Sequence, residues 1–363
     1  MVDSVALPPR VTFTSREAAA FVADVRSTVA RSFIGRSDKA NAAMVAKTVI
    51  LIGVFGAAYG LLLSNTVSGW TSCVLVVMMG IAMAGIGFGV SHDALHGAYA
   101  SRPWLNTVIG ASFDVLGANG YMWKLTHNVI HHTYTNIHGV DEDLAVSPLL
   151  RLSPKAPWRP VHRYQHLYAF ATYSLSTLFW VFIKDFKYFL QRDLGPFRDR
   201  THSPGAIAWL LASKLAYFAY ALVLPLAVIH RPWWQILVGF VAVHLIAGTI
   251  LGVVFQLAHV VEGTEHPLPD ATGEMEHSWI VHEMLTTSNF ARGNRLVSWY
   301  VAGLNYQIEH HLFPRVCSVH YPALSPLVRD AARRHNLPYN EHPTMLGAIA
   351  SHYRVLKDFG QRV

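Results

Sequence analysis

Apolar residues gather into four long runs, at about residues 48–64, 71–90, 207–229 and 233–255, with few charges inside any of them. Each approaches the roughly 20 mostly apolar residues that a membrane-spanning helix needs. The runs read as two hairpins. SNTVSGW after the first run carries no charge, HRP between the third and fourth carries one Arg, and Arg36, Lys39 and Lys47 flank the first run. The middle of the chain is rich in Arg and Lys, so the positive-inside rule puts both termini and residues 91–206 in the cytoplasm. A further apolar stretch, 166–182, holds Thr, Ser and several aromatics and is followed by KDFKYF. It reads as a helix lying in the interface, because a span there would carry the last histidine cluster to the wrong side of the membrane.

The pattern predicts an all-α integral membrane protein with about four transmembrane helices and a cytoplasmic helical cap. No Gly/Ser-rich or Pro-rich linker and no internal repeat divides the 363 residues, so they read as a single domain. Its parts are a cytoplasmic segment 1–47, a first hairpin 48–90, a cap 91–206, a second hairpin 207–255 and a cytoplasmic C-terminal part 256–363.

Composition sharpens this. Hydrophobic residues make up 52% and charged residues only 14%, against about 25% charged in ordinary soluble domains. The N-terminus lacks the basic region, apolar core and small-residue cleavage site of a signal peptide, so insertion is expected to use the first internal run. Two cysteines, Cys73 and Cys317, are too few for a disulfide framework or a thiolate metal site. The formal charge of +7 is spread along the chain rather than gathered into a stripe, which argues against nucleic-acid binding.

Against that background the 21 histidines stand out. HDALHGAY, after the second run, places His92 and His96 one helical turn apart, able to grip one ion or, taken alone, to bond headgroups and water. WKLTHNVIHHTYTNIHGVDED repeats the spacing with His127 and His131, while His132 points about 100° away, able to reach a second ion. NYQIEHHLFP sets Gln307 on one helical face with His310 and His311. The second run delivers His92 and His96 to the cytoplasmic mouth, and the fourth does the same for His259. His244, 15 residues earlier, lies about 22 Å away along a helix and reads as a packing residue. A bis-histidine haem would need facing partners at matched depth, and the spans offer none.

Imidazoles without thiolates suit Fe, Cu, Zn or Ni. A catalytic zinc takes three protein ligands, whereas eight histidines fill two sites and leave positions for O₂. Two redox metals fit better. Asp93, Asp141, Asp143 and Glu309, with Glu142, read as acceptors for the other imidazole N–H, although Asp141–Asp143 also reads as a solvated acidic turn. The basic residues Arg151, Lys155, Arg159, Arg163, Arg198 and Arg200 read as topology signals or lipid contacts, or as receivers of an anionic carrier headgroup.

HDALH, HNVIHH and QIEHH, in this order and at these intervals, resemble the histidine boxes of the membrane fatty acid desaturases, in particular the acyl-lipid and acyl-CoA type with a Gln-containing third box. The resemblance runs over about residues 80–320 and is supported by FQLAHVVEG, TTSNF and GLNYQIEHHLFP. It implies four spans with a cytoplasmic cap and two iron ions using O₂. It implies a fatty acyl substrate on CoA, carrier protein or lipid, and an external electron donor of the ferredoxin or cytochrome b5 type with its reductase. By the same resemblance His92, His96, His127, His131, His132, His310 and His311 are iron ligands and His259 an additional one. Gln307 stands where related desaturases have a histidine, binding through its amide oxygen or through water. His282 and Asn289 take packing or supporting roles around the ligands. No HPGG-like haem motif occurs, EHPLPD lacking the glycines, so electrons are expected from a separate protein.

The implied chemistry is the insertion of a cis double bond into an acyl chain held in a narrow apolar tunnel. A membrane di-iron hydroxylase or acetylenase acting on a similar chain is the alternative. A metal transporter should line a path with ionisable residues, and the four runs carry only Lys214 and His244.

Overall fold

A computed structural model of the chain describes residues 10–144 and 147–362. The first nine residues of the expected N-terminal segment lie outside the described residues. The described residues are mostly helical, and four helices among them are long and apolar enough to cross a membrane: Ala42–Leu63, Gly69–Leu95, Pro204–Val228 and Trp233–His259. Three begin on side-chain caps placed just before the apolar run, which satisfy otherwise unpaired first-turn N–H groups. Asn41 accepts from Met44 N, Ser68 from Thr71 N, and Ser203 from Ala206 N with Pro204 following it.

The second helix is the structural centre. In its most apolar window 67% is buried, against 17% for each of the other three, so those three keep mostly lipid-ready faces while the second serves as core. It packs on the first and fourth helices. Close approach to the fourth depends on Gly80, where a Cβ would stand 2.7 Å from Ile246 Cβ, the small-residue contact that lets apolar helices meet without a hydrophobic driving force. The two charge-bearing positions inside the apolar runs are both satisfied. Lys214 pairs with Asp185 at 2.7 Å and donates to the Gly117 and Val181 carbonyls, and His244 Nε2 accepts from the Tyr217 hydroxyl at 2.5 Å.

The segment expected to lie in the interface is bent and packs on the fourth apolar helix. Pro160–Ser174 and Ser176–Leu190 form a pair of helices bent by 60°. The bend lies against the middle of the fourth apolar helix. Ser176 donates to the Gly248 carbonyl and Thr177 to the His244 carbonyl, while Tyr173 packs at Gly252. Gly248 is some 16 Å short of His259 along the helix, so the segment sinks beside the helix rather than crossing its end. The hydroxyls of Ser176 and Thr177 thus serve the neighbouring backbone. A Cβ on Gly248 would fall 2.3 Å from the Ser174 carbonyl oxygen. Gly248→Ala should therefore lower stability by about 1–3 kcal/mol through overpacking, which outweighs the helix-propensity gain of roughly 1 kcal/mol because a backbone atom cannot step aside. Thermal unfolding of the purified variant in detergent checks this, and an unchanged midpoint would show that the segment is free to move away.

The remaining segments gather at the C-terminal ends of the second and fourth apolar helices. Ala19–Ser32 packs on Tyr321–Arg334, with Phe21, Val25, Met284, Ile308, Tyr321 and Val328 forming a separate apolar core behind the third histidine cluster. A short parallel pairing of Asn289–Phe290 with Glu341–His342 clamps the approach to that cluster, and the C-terminal helix Met345–Phe359 packs against the bent segment and the fourth apolar helix.

Candidate metal centre

Two π-helical turns shape the histidine clusters. One, Ile86–Ser91, ends at His92, and the other, Lys124–His131, contains His127 and closes on His131. π-Turns are uncommon and concentrate at functional sites, because the wider turn re-aims side chains. On a regular helix His127 and His131 would share a face and one ion. Here they part. One ring nitrogen from each of His92, His96, His127 and His310 can be chosen so that all four lie within 4.8 Å of one another, and a second such group is His131, His259 and His311.

His132 sits between the groups. Its ring centroid is 4.3 Å from that of His311, 4.6 Å from His310 and 4.8 Å from His96. The groups adjoin, with the rings of His127 and His131 5.0 Å apart. All the eight histidines expected as ligands therefore converge, from segments more than 200 residues apart in sequence.

Their hydrogen bonds give the set a direction. Nδ1 of His127 meets Asp143 at 3.2 Å, that of His131 meets Asp141 at 3.0 Å, and that of His311 meets Glu283 at 2.6 Å. His259 Nδ1 faces the Thr286 carbonyl at 3.3 Å and His310 Nδ1 the Tyr321 hydroxyl at 3.2 Å. With Nδ1 so engaged, the opposite nitrogen is left as a lone pair. Nε2 of His96, His127, His131, His310 and His311 and both nitrogens of His132 are buried without a hydrogen-bond partner, as is Nδ1 of His92. Each unpaired buried polar atom costs about 1–3 kcal/mol, a penalty that metal ions among these lone pairs would remove. The donor set fits two ions.

Burial favours the neutral form of most of the rings, the form that ligation requires. Burial pushes His96, His132, His310 and His311 well below the ordinary imidazole range, with neighbouring imidazoles adding to it, and takes His127 down to about 3. Burial also works downward on His131, but the Asp141 carboxylate more than offsets it. Burial would raise Asp143, yet the Lys184 ammonium, 2.9 Å away, and the His127 imidazole hold it well below the usual carboxylate range. Asp141 and Asp143 thus stand behind the imidazoles, already engaged, although they also lie near enough to His131 to form a third group. Aromatic walls close the site. Trp123 stacks on His127 at 4.4 Å, and Phe255 lies 5.1 Å from both His131 and His259.

Other expected residues fall differently. Asp93 accepts from Cys317 Sγ, Ser318 N and Ser318 Oγ, tying the first cluster to the loop after the third, and approaches His92 Nδ1 only to 3.5 Å. Glu309 accepts from Asn289 at 2.8 Å and Tyr339 at 2.7 Å and, among the described residues, supports no imidazole. Asn289 also accepts from Ile308 N, so it fixes the start of the third-cluster helix. Gln307 donates to the Leu304 carbonyl at 2.7 Å, and His282 faces the Thr135 carbonyl at 2.8 Å. Arg151 spends its guanidinium on the carbonyls of Pro154, Ala156 and Phe359, which removes it from the candidate headgroup contacts, whereas Arg200 gives only Nη2, to the carbonyls of Tyr188 and Gln191.

The residue missed from sequence is Glu283. It is fully buried, takes hydrogen bonds from His311 and Thr135 on Oε2, and leaves Oε1 without a partner. Burial pushes its carboxyl well above the usual range, and the Thr135 hydroxyl works against that. An acidic residue in the mostly apolar WIVHEMLT was the available signal.

Comparison with known proteins agrees with the histidine pattern. The family model for fatty acid desaturases matches residues 68–343. An sn-1 linoleoyl-lipid 6-desaturase of Arthrospira platensis is 34% identical over 321 residues, covering 88% of this chain and 87% of that protein. A protein of the same description from Synechocystis sp. is 33% identical over 357 residues, covering 97% of this chain and 98% of its own length. An acyl-lipid (8-3)-desaturase of Physcomitrium patens is 33% identical over 324 residues, 87% of this chain and 66% of that protein.

Proposed function

The chain belongs to the fatty acid desaturase family, and from that premise we propose that it inserts a cis double bond into the fatty acyl chain of a membrane lipid, using two iron ions and O₂. That it is a membrane enzyme of lipid metabolism follows from the family and from its four apolar helices. The proposal adds the metal, the ligand assignment and the substrate class. His92, His96, His127 and His310 hold one iron, His131, His259 and His311 the other, and His132 serves at the junction. The reading rests chiefly on one observation: these imidazoles converge, and all of them except His259 carry a buried nitrogen without a hydrogen-bond partner.

When bound, the iron pair supplies the oxidising power that removes two hydrogens from neighbouring methylenes. The chain's own residues do the rest. Asp141, Asp143 and Glu283 orient His131, His127 and His311, so that the lone pairs need no reorganisation. Trp123 and Phe255 exclude water from the centre, which suppresses side reactions of a strong oxidant. Electrons come from a separate ferredoxin or cytochrome b5 type protein. The active site and both termini face the cytoplasm, and residues 1–363 act as one domain. The lipid-linked substrate is favoured because the two relatives that match nearly full length are both described as acting on a linoleoyl lipid.

The test is mass spectrometry of lipids from cells expressing the active chain or a His131→Ala control, with double-bond positions determined. A new double bond should appear only with the active chain. A hydroxylated or acetylenic product would move the chain to the alternative chemistry, and identical lipids from both would overturn the reading.

A further inference from the structure

On the side away from the histidines, a cavity of about 730 Å³ lies among the four apolar helices. Its walls are mostly apolar or aromatic, with Phe55, Tyr59 and Leu62 from the first helix facing Val238 and Val243 from the fourth. The volume falls within the range of ordinary ligand sites. Two of its polar wall residues, Tyr217 and His244, are bonded to each other and offer a ligand little.

Its mouth is different in kind. Arg231 is the only charged residue in the lining. It sits in the turn joining the third and fourth apolar helices and reaches over the start of the second, where a Cβ on Gly69 would lie 3.8 Å from its Nη1. One N–H goes to the Val67 carbonyl at 2.9 Å, and no carboxylate pairs with the guanidinium among the described residues. Trp70 and Trp234 stand exposed beside it. A cation and two exposed amphipathic rings on one cavity at the end of apolar helices are the chemistry of a headgroup boundary, where aromatic belts and basic side chains meet lipid phosphate.

Depth identifies the occupant. The lining runs along the second helix from Gly69 to Met83, about 21 Å at 1.5 Å per residue, whereas half the hydrocarbon core is roughly 15 Å. An acyl tail entering from the Arg231 side is accommodated over its whole leaflet. Between Met83 and the histidines, Ile86, Phe88, Val90, Val254 and Leu257 belong to one packed core. A chain held at the metal centre would have to pass through them.

We propose that this cavity holds a phospholipid of the leaflet opposite the histidine centre, its phosphate on Arg231 and one acyl tail between the helices. The inference rests on the membrane placement alone and stands whether or not the desaturation reading holds. It is tested on full-length protein, delipidated in mild detergent, titrated with dioleoyl phosphatidylglycerol and read by native mass spectrometry. One lipid should be retained per chain. Arg231→Gln should weaken retention about fivefold, the effect of one basic residue facing a lipid phosphate, and Arg231→Lys should keep most of it. Ala242→Phe, which fills the wall, should displace the lipid. Arg231 lies outside the packed core, so its variants decide the matter even if Ala242→Phe fails to fold. Equal retention by the wild type and Arg231→Gln would overturn the proposal. So would Ala242→Phe shortening the acyl chains accepted as substrate while phospholipid retention stayed unchanged, since the cavity would then belong to the substrate tail.

Discussion

His259→Ala should lower desaturation by at least about 100-fold and remove bound iron with it, because it takes away one of the three imidazoles of its group. His244→Ala, on the same helix, should keep its iron and lose stability instead. His244 is buried against the Tyr217 hydroxyl and Thr177. Truncation strands that hydroxyl, at a cost of about 1–3 kcal/mol. Metal analysis of protein purified without added metal is expected to find two irons per chain in the parent, although overexpression can load zinc, which competes well for imidazole. One zinc and no iron in active protein would rule out the proposed centre. Full iron and full activity in His259→Ala would place that residue outside it.

Glu283→Ala should weaken iron binding at the His131, His259 and His311 group by about 10–100-fold, the usual cost of removing a carboxylate behind a ligand histidine. The 2.6 Å bond to His311 Nδ1 fixes both the tautomer and the plane of that ring. The Thr135 hydroxyl lies 3.0 Å from the same carboxylate and 2.7 Å from the His131 carbonyl, so its one proton is shared between the two. Glu283→Gln keeps an acceptor oxygen and should recover most of the affinity. Because the amide restores side-chain volume as well as the acceptor, iron titration followed by absorbance is compared with thermal unfolding of the iron-free variants, and an affinity loss at an unchanged midpoint distinguishes the lost hydrogen bond from general unfolding. Equal affinities for the parent and both variants would show that His311 is oriented by something else.

The four apolar helices were legible because length and continuity of apolar residues are nearly sufficient evidence in a bilayer. Their ends were less so. The fourth runs on to His259, beyond the apolar run ending near residue 255, since the polar Gln256 and His259 can be helical once buried. The histidines were legible as a set but not in their grouping, because spacing was converted to direction with the α-helical period and the second cluster is a π-turn. The bend in the 160–190 segment was not legible, because the partners of Ser176 and Thr177, carbonyls of the fourth apolar helix, are remote in sequence. Glu283 escaped because its partners, Thr135 and His311, are remote in sequence, and no local pattern records them.

The π-turn of Lys124–His131 also bears on how the centre keeps its dimensions. His127 belongs to one group and His131 to the other, and both are rooted on this single hydrogen-bonded stretch of backbone. The separation of the two groups is therefore gauged by a local, stiff element rather than by how the long helices happen to sit against one another. Shifts of the fourth helix, as lipid thickness or a passing acyl chain changes, would tilt His259 within its own group and leave the gauge unaltered.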